Sequence, residues 1–284
     1  MKIFVTGGNG FIGRHFVRAA LKRGHEVVGL WYPGKPAAAD AVPGLTWVEG
    51  SLETDLSASL IGCNALVHLA AFGASPQTGC DNWEASFRWN VTASLNLWRT
   101  AVECGIRHFI VCGSCFEYGR SGERYEFIPP DAPLLPTGAY ATSKAAASIA
   151  ALGLAVDKSL HLAVLRLFHV FGEGEHPSRL WPSLKRAALA GEDFPMTKGE
   201  QVRDFVPVDR VAQRFLEVLD RGVASAGCPV VENVGTGQSQ TLRAFAEGWW
   251  QQWQAKGQLR LGEIPYRAGE VMSYVPMIEI KKAT

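Results

Sequence analysis

The first thirteen residues, Met1-Lys-Ile-Phe-Val-Thr-Gly-Gly-Asn-Gly-Phe-Ile-Gly13, constrain the fold of this chain more than any others. Ile3, Phe4 and Val5 form a short apolar run that reads as a buried strand. The run stops at a glycine cluster, and an amphipathic stretch follows with Phe11, Ile12, Phe16, Val17, Ala20 and Leu21 on its apolar face. Strand, glycine turn and helix in this order open a βαβ unit of the kind that binds dinucleotides. In that unit Gly7 or Gly8 permits the tight turn. Gly10 lets the backbone approach a pyrophosphate, and Gly13 lets the helix pack close to the strand. The helix N-terminus then offers free N–H groups and a partial positive charge to phosphates.

Bulk properties narrow the partners. With 284 residues and 47% hydrophobic content the chain suits one large α/β domain, or one domain plus a smaller lobe. There are 28 basic and 27 acidic residues and no long charge run, which disfavours nucleic acid and anionic membrane surfaces as partners. The chain opens directly on strand one, so no signal peptide is expected, and no apolar run is read as approaching the roughly 20 residues of a membrane span. Six cysteines are present: Cys63, Cys80, Cys104, Cys112, Cys115 and Cys228. Only Cys112-Gly-Ser-Cys115 has a suggestive spacing. It ends an apolar strand rather than starting a helix, and no second pair completes a zinc site, so reduced thiols in a cytoplasmic protein are the expectation and no metal is.

Strand-like runs alternate with helix-like ones through the first 170 residues. The strands are expected at Ile3–Val5, Glu26–Leu30, Leu45–Val48, Ala65–Leu69, His108–Cys112 and Leu162–Phe168. Most are apolar on both faces, as a parallel sheet covered by helices requires. Trp83–Cys104 carries apolar residues at helical spacing. Past Gly172 shorter elements follow, with helix patterns at Val208–Leu219 and Leu242–Trp253, whose tryptophans read as core. The expectation is a Rossmann-type doubly wound parallel sheet over 1–170. A small substrate lobe follows over 171–284, partly interleaved, with about 204–236 returning to the first unit.

The chemistry-bearing residues lie at the carboxyl ends of these strands, where ligands bind in open α/β sheets. Gly138-Ala-Tyr140-Ala-Thr-Ser-Lys144 opens an alanine-rich helix and puts Tyr140 and Lys144 on one face. An ammonium near a phenol lowers its pKa, which would make Tyr140 a proton donor and acceptor near neutral pH. Strand five ends at Ser114, whose hydroxyl is placed to hydrogen-bond a substrate oxygen. A glycine turn, a strand-end serine and a Tyr-x-x-x-Lys pair in this order resemble the short-chain dehydrogenase/reductase superfamily. The spacing resembles its extended branch, the NAD(P)-dependent nucleotide-sugar epimerases, dehydratases and reductases. The resemblance covers nearly the whole chain. It includes Thr6–Gly13, His68-Leu-Ala-Ala71, Asn90-Val91, Leu165–Gly172, Arg203-Asp-Phe-Val-Pro-Val-Asp209, Asn233–Gly237 and Pro265–Glu270.

The resemblance implies roles. Tyr140 is the acid/base, Lys144 holds the nicotinamide ribose, and Ser114 polarises the sugar oxygen. Gly7, Gly10, Phe11, Ile12 and Gly13 would cradle the cofactor phosphates. Trp31, Lys35, Ser51 and Leu52 would border its adenosine half, with Leu69, Ala70, Ala71 and His169 along the rest. Arg203 and Arg267 would clasp the substrate diphosphate, as a planar guanidinium suits phosphate oxygens. Cys115, Phe116, His169 and Arg179 would face the sugar, and Leu180, Phe194 and Met196 the base.

Departures from the pattern narrow the reaction. Trp31 stands where NAD-selective members carry an acid that holds both ribose hydroxyls. With Arg14 and Lys35 as candidate cations this favours NADP(H), with NAD(H) as the alternative. Cys115 and Phe116 replace the Asp-Glu pair of the family's dehydratases, and Glu117 comes one residue late. Phe116 and Arg179 occupy the cysteine and histidine places of the 3,5-epimerising reductases. His169 replaces the usual asparagine. The minimal Ser-Tyr-Lys set remains, and it serves reduction of a 4-keto-6-deoxyhexose or 4-epimerisation. A non-catalytic NADP-binding sensor is the rival from another class. Small residues along the helix after Tyr140 and the apolar girth of Trp83–Cys104 point to a homodimer.

Overall fold

The computed structural model describes residues 1–32, 42–74, 81–222, 224–267 and 269–278. Its first half alternates β1 (Lys2–Thr6), α1 (Phe11–Lys22), β2 (Glu26–Trp31), β3 (Leu45–Glu49), α2 (Ser57–Leu60), β4 (Ala65–His68), α3 (Trp83–Phe87), α4 (Ser94–Glu103), β5 (His108–Ser114) and α5 (Ala139–Asp157). Then come β6 (His161–Leu167), β7 (His169–Phe171), α6 (Leu180–Ala190), β8 (Phe194–Met196), β9 (Val202–Arg203), β10 (Phe205–Pro207) and α7 (Val208–Arg221). The last elements are β11 (Val230–Val234), β12 (Gln240–Thr241), α8 (Leu242–Gln252), β13 (Leu259–Leu261) and β14 (Ser273–Tyr274).

Seven strands form one sheet in the order β11-β6-β5-β4-β1-β2-β3. Every pairing in it is parallel. This is the Rossmann-like, doubly wound arrangement, and its strand order reverses between β1 and β4. One core fills the face that α1 and α7 cover, including Val5, Phe16, Val67, Ile110 and Phe215. A second fills the opposite face, with Phe4, Leu66, Trp98, Phe109 and Val164. The alternation along β1 explains the split: Ile3 and Val5 point to one face and Phe4 to the other.

Helix pattern 83–104 is broken where the sequence reads as continuous. A π-helical turn, Arg88–Ala93, separates α3 from α4. It turns Asn90 inward, where the side-chain amide accepts from Phe72 N at 2.7 Å and donates to Phe72 O and to Ser143 Oγ at 3.0 and 2.9 Å. Asn90 thereby straps α5 to the loop after β4.

Outside the main sheet, three small sheets pair β10 with β7, β9 with β12 and β14, and β8 with β13. Phe171, Trp181, Phe245, Trp249 and Trp253 meet there, with ring centroids 5.0–6.3 Å apart. Helix α5 corrects one expectation. An 18-residue window of this 19-residue helix has a mean hydropathy of 1.3, long and apolar enough to cross a membrane by length and composition. Half of that window is buried against the protein, because the same residues cover the sheet and carry Tyr140 and Lys144.

Candidate active site

The site grows from the glycine turn. Gly7 has φ +69°, and a Cβ there would stand 2.7 Å from Ala70 N, so the loop after β4 lies directly against the turn. A Cβ on Gly13 would come within 2.0 Å of Gly7 O, which leaves glycine as the residue that fits. Gly8 instead meets the Trp47 ring, so of the two candidates Gly7 makes the turn. Gly10 caps α1 without any side-chain bond. The first helical turn therefore keeps N–H groups for a phosphate, and the backbone fits a dinucleotide.

Beside it, His68 fixes the loop from Leu69 to Ala71. Ser94 donates its hydroxyl hydrogen to Trp89 O, so its oxygen accepts from His68 Nε2 at 3.1 Å. His68 Nδ1 then accepts from Thr6 Oγ1 at 2.9 Å, and Thr6 Oγ1 accepts from Ala70 N at 3.2 Å. The chain of bonds requires a neutral imidazole. Burial, helped by the Lys144 charge, pushes its pKa down to about 3. An unfolded imidazole titrates near 6.5, so between these values the unfolded chain binds the extra proton. Native stability should fall as pH drops below about 6.5. Urea midpoints of the protein and of a His68→Gln variant test this: the parent should lose stability relative to the variant as the solution is acidified.

Ser114 ends β5 and is buried; its Oγ accepts from Phe116 N at 3.3 Å and closes a capping box with Glu117. Tyr140 and Lys144 enter from the first turn of α5, which starts at Gly138 with φ +80°. The Ser114 side chain acts on the Tyr140 hydroxyl and draws its pKa down. Lys144 is buried and donates from Nζ to Cys112 O at 2.7 Å. The structure thus brings Ser114, Tyr140 and Lys144 together. It corrects the expected charge state of the phenol. Burial pushes the Tyr140 pKa above the usual tyrosine range, the neighbouring Cys112 adds to this, and the Ser114 side chain only partly opposes it. Tyr140 is a protonated donor near neutral pH.

Glu117 is fully buried and committed. One oxygen accepts from Ser114 N at 2.7 Å and the other from Arg166 Nε at 2.8 Å. Arg166 also donates to Tyr118 Oη and Pro130 O, and Tyr118 donates to Asn233 Oδ1 at 2.6 Å. Cys112 and Cys115 are free thiols, which burial pushes up to about 11 and about 12. They are protonated and poor nucleophiles. Cys63, Cys104 and Cys228 are free as well, and Cys80 lies outside the described residues. Among the described residues no three His, Cys, Asp or Glu side chains gather as a metal site would require.

His169 opens β7 among the rings of Phe116, Phe205 and Tyr274. Its Nδ1 is buried without a partner. Burial, with the charges of Arg203 and Arg179, holds its pKa well below the usual histidine range. Those two arginines also act on the Cys115 thiol. Arg203 is not free to clasp a diphosphate as it stands. It is buried, with Glu270 at 3.0 Å, and donates to the carbonyls of Val202, Met272 and Val271. Its sequence neighbour Asp204 instead accepts from Thr236 N, Thr236 Oγ1 and Gly237 N, fixing the turn after β11. Arg267 is exposed. Arg179 donates to Glu175 Oε1 at 3.4 Å. Glu175 was not singled out by any motif. Its Oε2 is buried without a partner, and burial raises its pKa to about 7.

Met196 is buried in the small core beside α6 and α8, and Phe194 packs against it near Trp250. Both side chains belong to β8, which pairs with β13. Leu180 starts α6 and is half-buried. Arg14 donates from Nε to Gly10 O at 3.2 Å and lays its guanidinium against Gly174. Lys35 lies outside the described residues. Trp31 ends β2 with Nε1 buried and unpartnered, and Ser51 Oγ accepts from Glu53 N at 3.2 Å in the turn that also carries Leu52.

Comparison with known proteins agrees with this geometry. A family profile described as "NAD dependent epimerase/dehydratase family" matches residues 3–235. The CDP-abequose synthase of Salmonella muenchen is 24% identical over 95% of this chain and 87% of its own. The dTDP-6-deoxy-L-talose 4-dehydrogenase (NAD(+)) of Aggregatibacter actinomycetemcomitans is 26% identical over 87% of this chain and 88% of its own. Among solved structures, MoeE5 in complex with UDP-glucuronic acid and NAD superposes with a TM-score of 0.85 at 26% identity, covering 98% of this chain and 90% of that one.

Proposed function

Since the chain belongs to the NAD dependent epimerase/dehydratase family, we propose that it reduces the C4 carbonyl of a nucleotide-diphosphate 4-keto-6-deoxyhexose. The observation that carries this reading is the set of side chains around Ser114. Tyr140 is a protonated donor whose hydroxyl Ser114 influences, and the nearby carboxylate, Glu117, has an oxygen on Arg166 and the other on Ser114 N. A dehydratase needs a free acid and base to remove water, and Cys115 and Phe116 supply neither.

The elements outside the main sheet after Gly172 would hold the substrate, with Arg179, His169 and Phe116 facing the sugar. A bound nicotinamide supplies the hydride. Ser114 holds the carbonyl oxygen, Tyr140 delivers its proton there, and Lys144, anchored on Cys112 O, holds the cofactor ribose. The first turn of α1 and Gly7 to Gly13 take the pyrophosphate. The lack of an acid at Trp31 favours NADP(H), with NAD(H) as the alternative.

Supplying the 4-keto sugar nucleotide with reduced cofactor tests the reading. Loss of reduced-nicotinamide absorbance with a C4 alcohol as product is expected. Inversion at C4 of an unoxidised sugar nucleotide, with no net cofactor turnover, would instead make the chain a 4-epimerase. Binding of cofactor with neither reaction would make it a sensor.

A cytoplasmic homodimer belongs to the same reading. The free thiols support the compartment. Ile149 and Val156 on α5, 60% and 61% exposed, and Trp83 on α3, 53% exposed, leave an apolar face for a two-fold partner. Light scattering at micromolar protein should give about twice 30.8 kDa; the monomer mass would refute the dimer.

A further inference from the structure

Strand β11 is the outermost strand of the main sheet beyond β6, and a groove of about 650 Å³ runs along its free edge. Helix α7 forms one wall of this groove. Its Arg210, Arg214, Glu217 and Arg221 follow one another at helical spacing and share one face, while Val211, Phe215 and Leu219 turn into the core. Arg214 donates from Nε to Glu232 Oε2 at 3.1 Å and from Nη1 to Glu217 Oε2 at 3.0 Å, so both carboxylates that line the groove are taken. Arg210 and Arg221 are exposed, and neither has a partner among the described residues. The groove therefore holds two uncompensated positive charges. Its other wall is an open strand edge. Phe168 N donates to Val234 O, which fixes the alternation along β11. Val230, Glu232 and Val234 turn their main-chain groups toward β6, and Val231 and Asn233 turn theirs toward the groove. No backbone group outside the sheet bonds the N–H or C=O of Val231 or Asn233 among the described residues. Proteins guard such edges with lysine, proline or a bulge. The sequence of β11, Val-Val-Glu-Asn-Val, has neither lysine nor proline, and its one charge is held by Arg214.

We propose that this groove docks an extended acidic segment of a partner protein, which pairs with the free edge of β11 and sets carboxylates against Arg210 and Arg221. Main-chain bonds to Val231 and Asn233 give the pairing, and the two arginines choose the partner. The dimensions agree. At about 1.5 Å per helical residue Arg210 and Arg221 stand about 16 Å apart along α7, close to the length of a five-residue strand such as β11. Acidic side chains four residues apart on an added strand share a face and lie about 13 Å apart, within reach of both guanidinium groups. A second copy of this chain is a poor occupant, because pairing the two β11 edges would bring the unpaired arginines of both copies into one groove. Neither arginine has a role in the reaction proposed above, so either reading can fail without the other.

Two synthetic peptides test the proposal on the full chain. One is acetyl-Thr-Glu-Val-Thr-Val-Glu-Val-Thr-amide, and the other carries lysine in place of both glutamates. Anisotropy of the labelled peptides measures affinity, and amide hydrogen exchange read by NMR follows Val231 and Asn233. The acidic peptide should bind saturably and about tenfold tighter than the lysine peptide, the scale of two exposed ion pairs. With it bound, the Val231 and Asn233 N–H groups should exchange more slowly. Arg210→Glu combined with Arg221→Glu should reverse the preference, so that the lysine peptide binds tighter, which a folding defect cannot mimic. Both arginines are exposed, and an unchanged melting transition checks that the variant folds. Absence of saturable binding by the acidic peptide, equal binding of the two peptides, or binding that leaves Val231 and Asn233 unaffected would overturn the proposal. Slow exchange of these two amides without any peptide would overturn it as well. If that slowing is independent of protein concentration, the chain itself fills the groove; if it grows with concentration, a second copy does.

Discussion

Replacing Tyr140 by Phe is expected to lower turnover about 100-fold or more, the scale of general acid catalysis, while leaving dinucleotide affinity nearly unchanged. The variant keeps the ring and loses only the hydroxyl. Ser114 retains its bond from Phe116 N, and Lys144 retains Cys112 O, so the remaining geometry should persist. The carbonyl oxygen would then have an orienting hydroxyl but no proton donor at its side. Steady-state kinetics and a parallel cofactor titration separate the two effects. Near-normal turnover in a variant that still binds cofactor would remove Tyr140 from the chemistry.

Much of the frame was legible because it is enforced locally. Gly7 and Gly13 appear in the sequence as a spacing, and in the structure as a positive φ and a 2.0 Å clearance. The six expected strands all form, since runs apolar on both faces fit a sheet covered on both sides. Ser114, Tyr140 and Lys144 were legible as a pattern for a related reason: Tyr140 and Lys144 share a helix face, and Ser114 ends a strand.

What was not legible depends on contacts between distant segments. Arg203 adjoins Asp204 in the chain, yet alternation along an extended segment sends the two apart, and Arg203 finds Glu270, 67 positions on. The π turn at Arg88–Ala93 leaves no mark in a helical hydrophobic pattern, although it sets Asn90. Strands of two residues, such as β12 and β14, are too short to show a period. The phenol charge was misjudged because proximity of an ammonium is visible in sequence spacing, whereas burial is not.

Arg166→Leu is expected to destabilise the fold by about 3–5 kcal/mol, the usual cost of stranding a buried charge. The side chains of Arg166 and Glu117 are 4% and 0% exposed, so water cannot replace the lost partner. The guanidinium also stacks 4.7 Å from the centre of the Tyr118 ring and donates to Tyr118 Oη and Pro130 O, which would lose those bonds as well. Glu117 would retain only Ser114 N and would have to take up a proton or pull away, and either response moves the serine at the reacting centre. Activity should therefore fall together with stability. Removing both charges, as Arg166→Leu with Glu117→Leu, should recover much of the stability, because an apolar pair carries no desolvation penalty. It should not recover activity, because nothing then fixes Ser114 N. Urea unfolding of the two variants alongside their turnover checks both claims. A single variant within about 1 kcal/mol of the parent, the range of an exposed ion pair, would show that water reaches the pair after all.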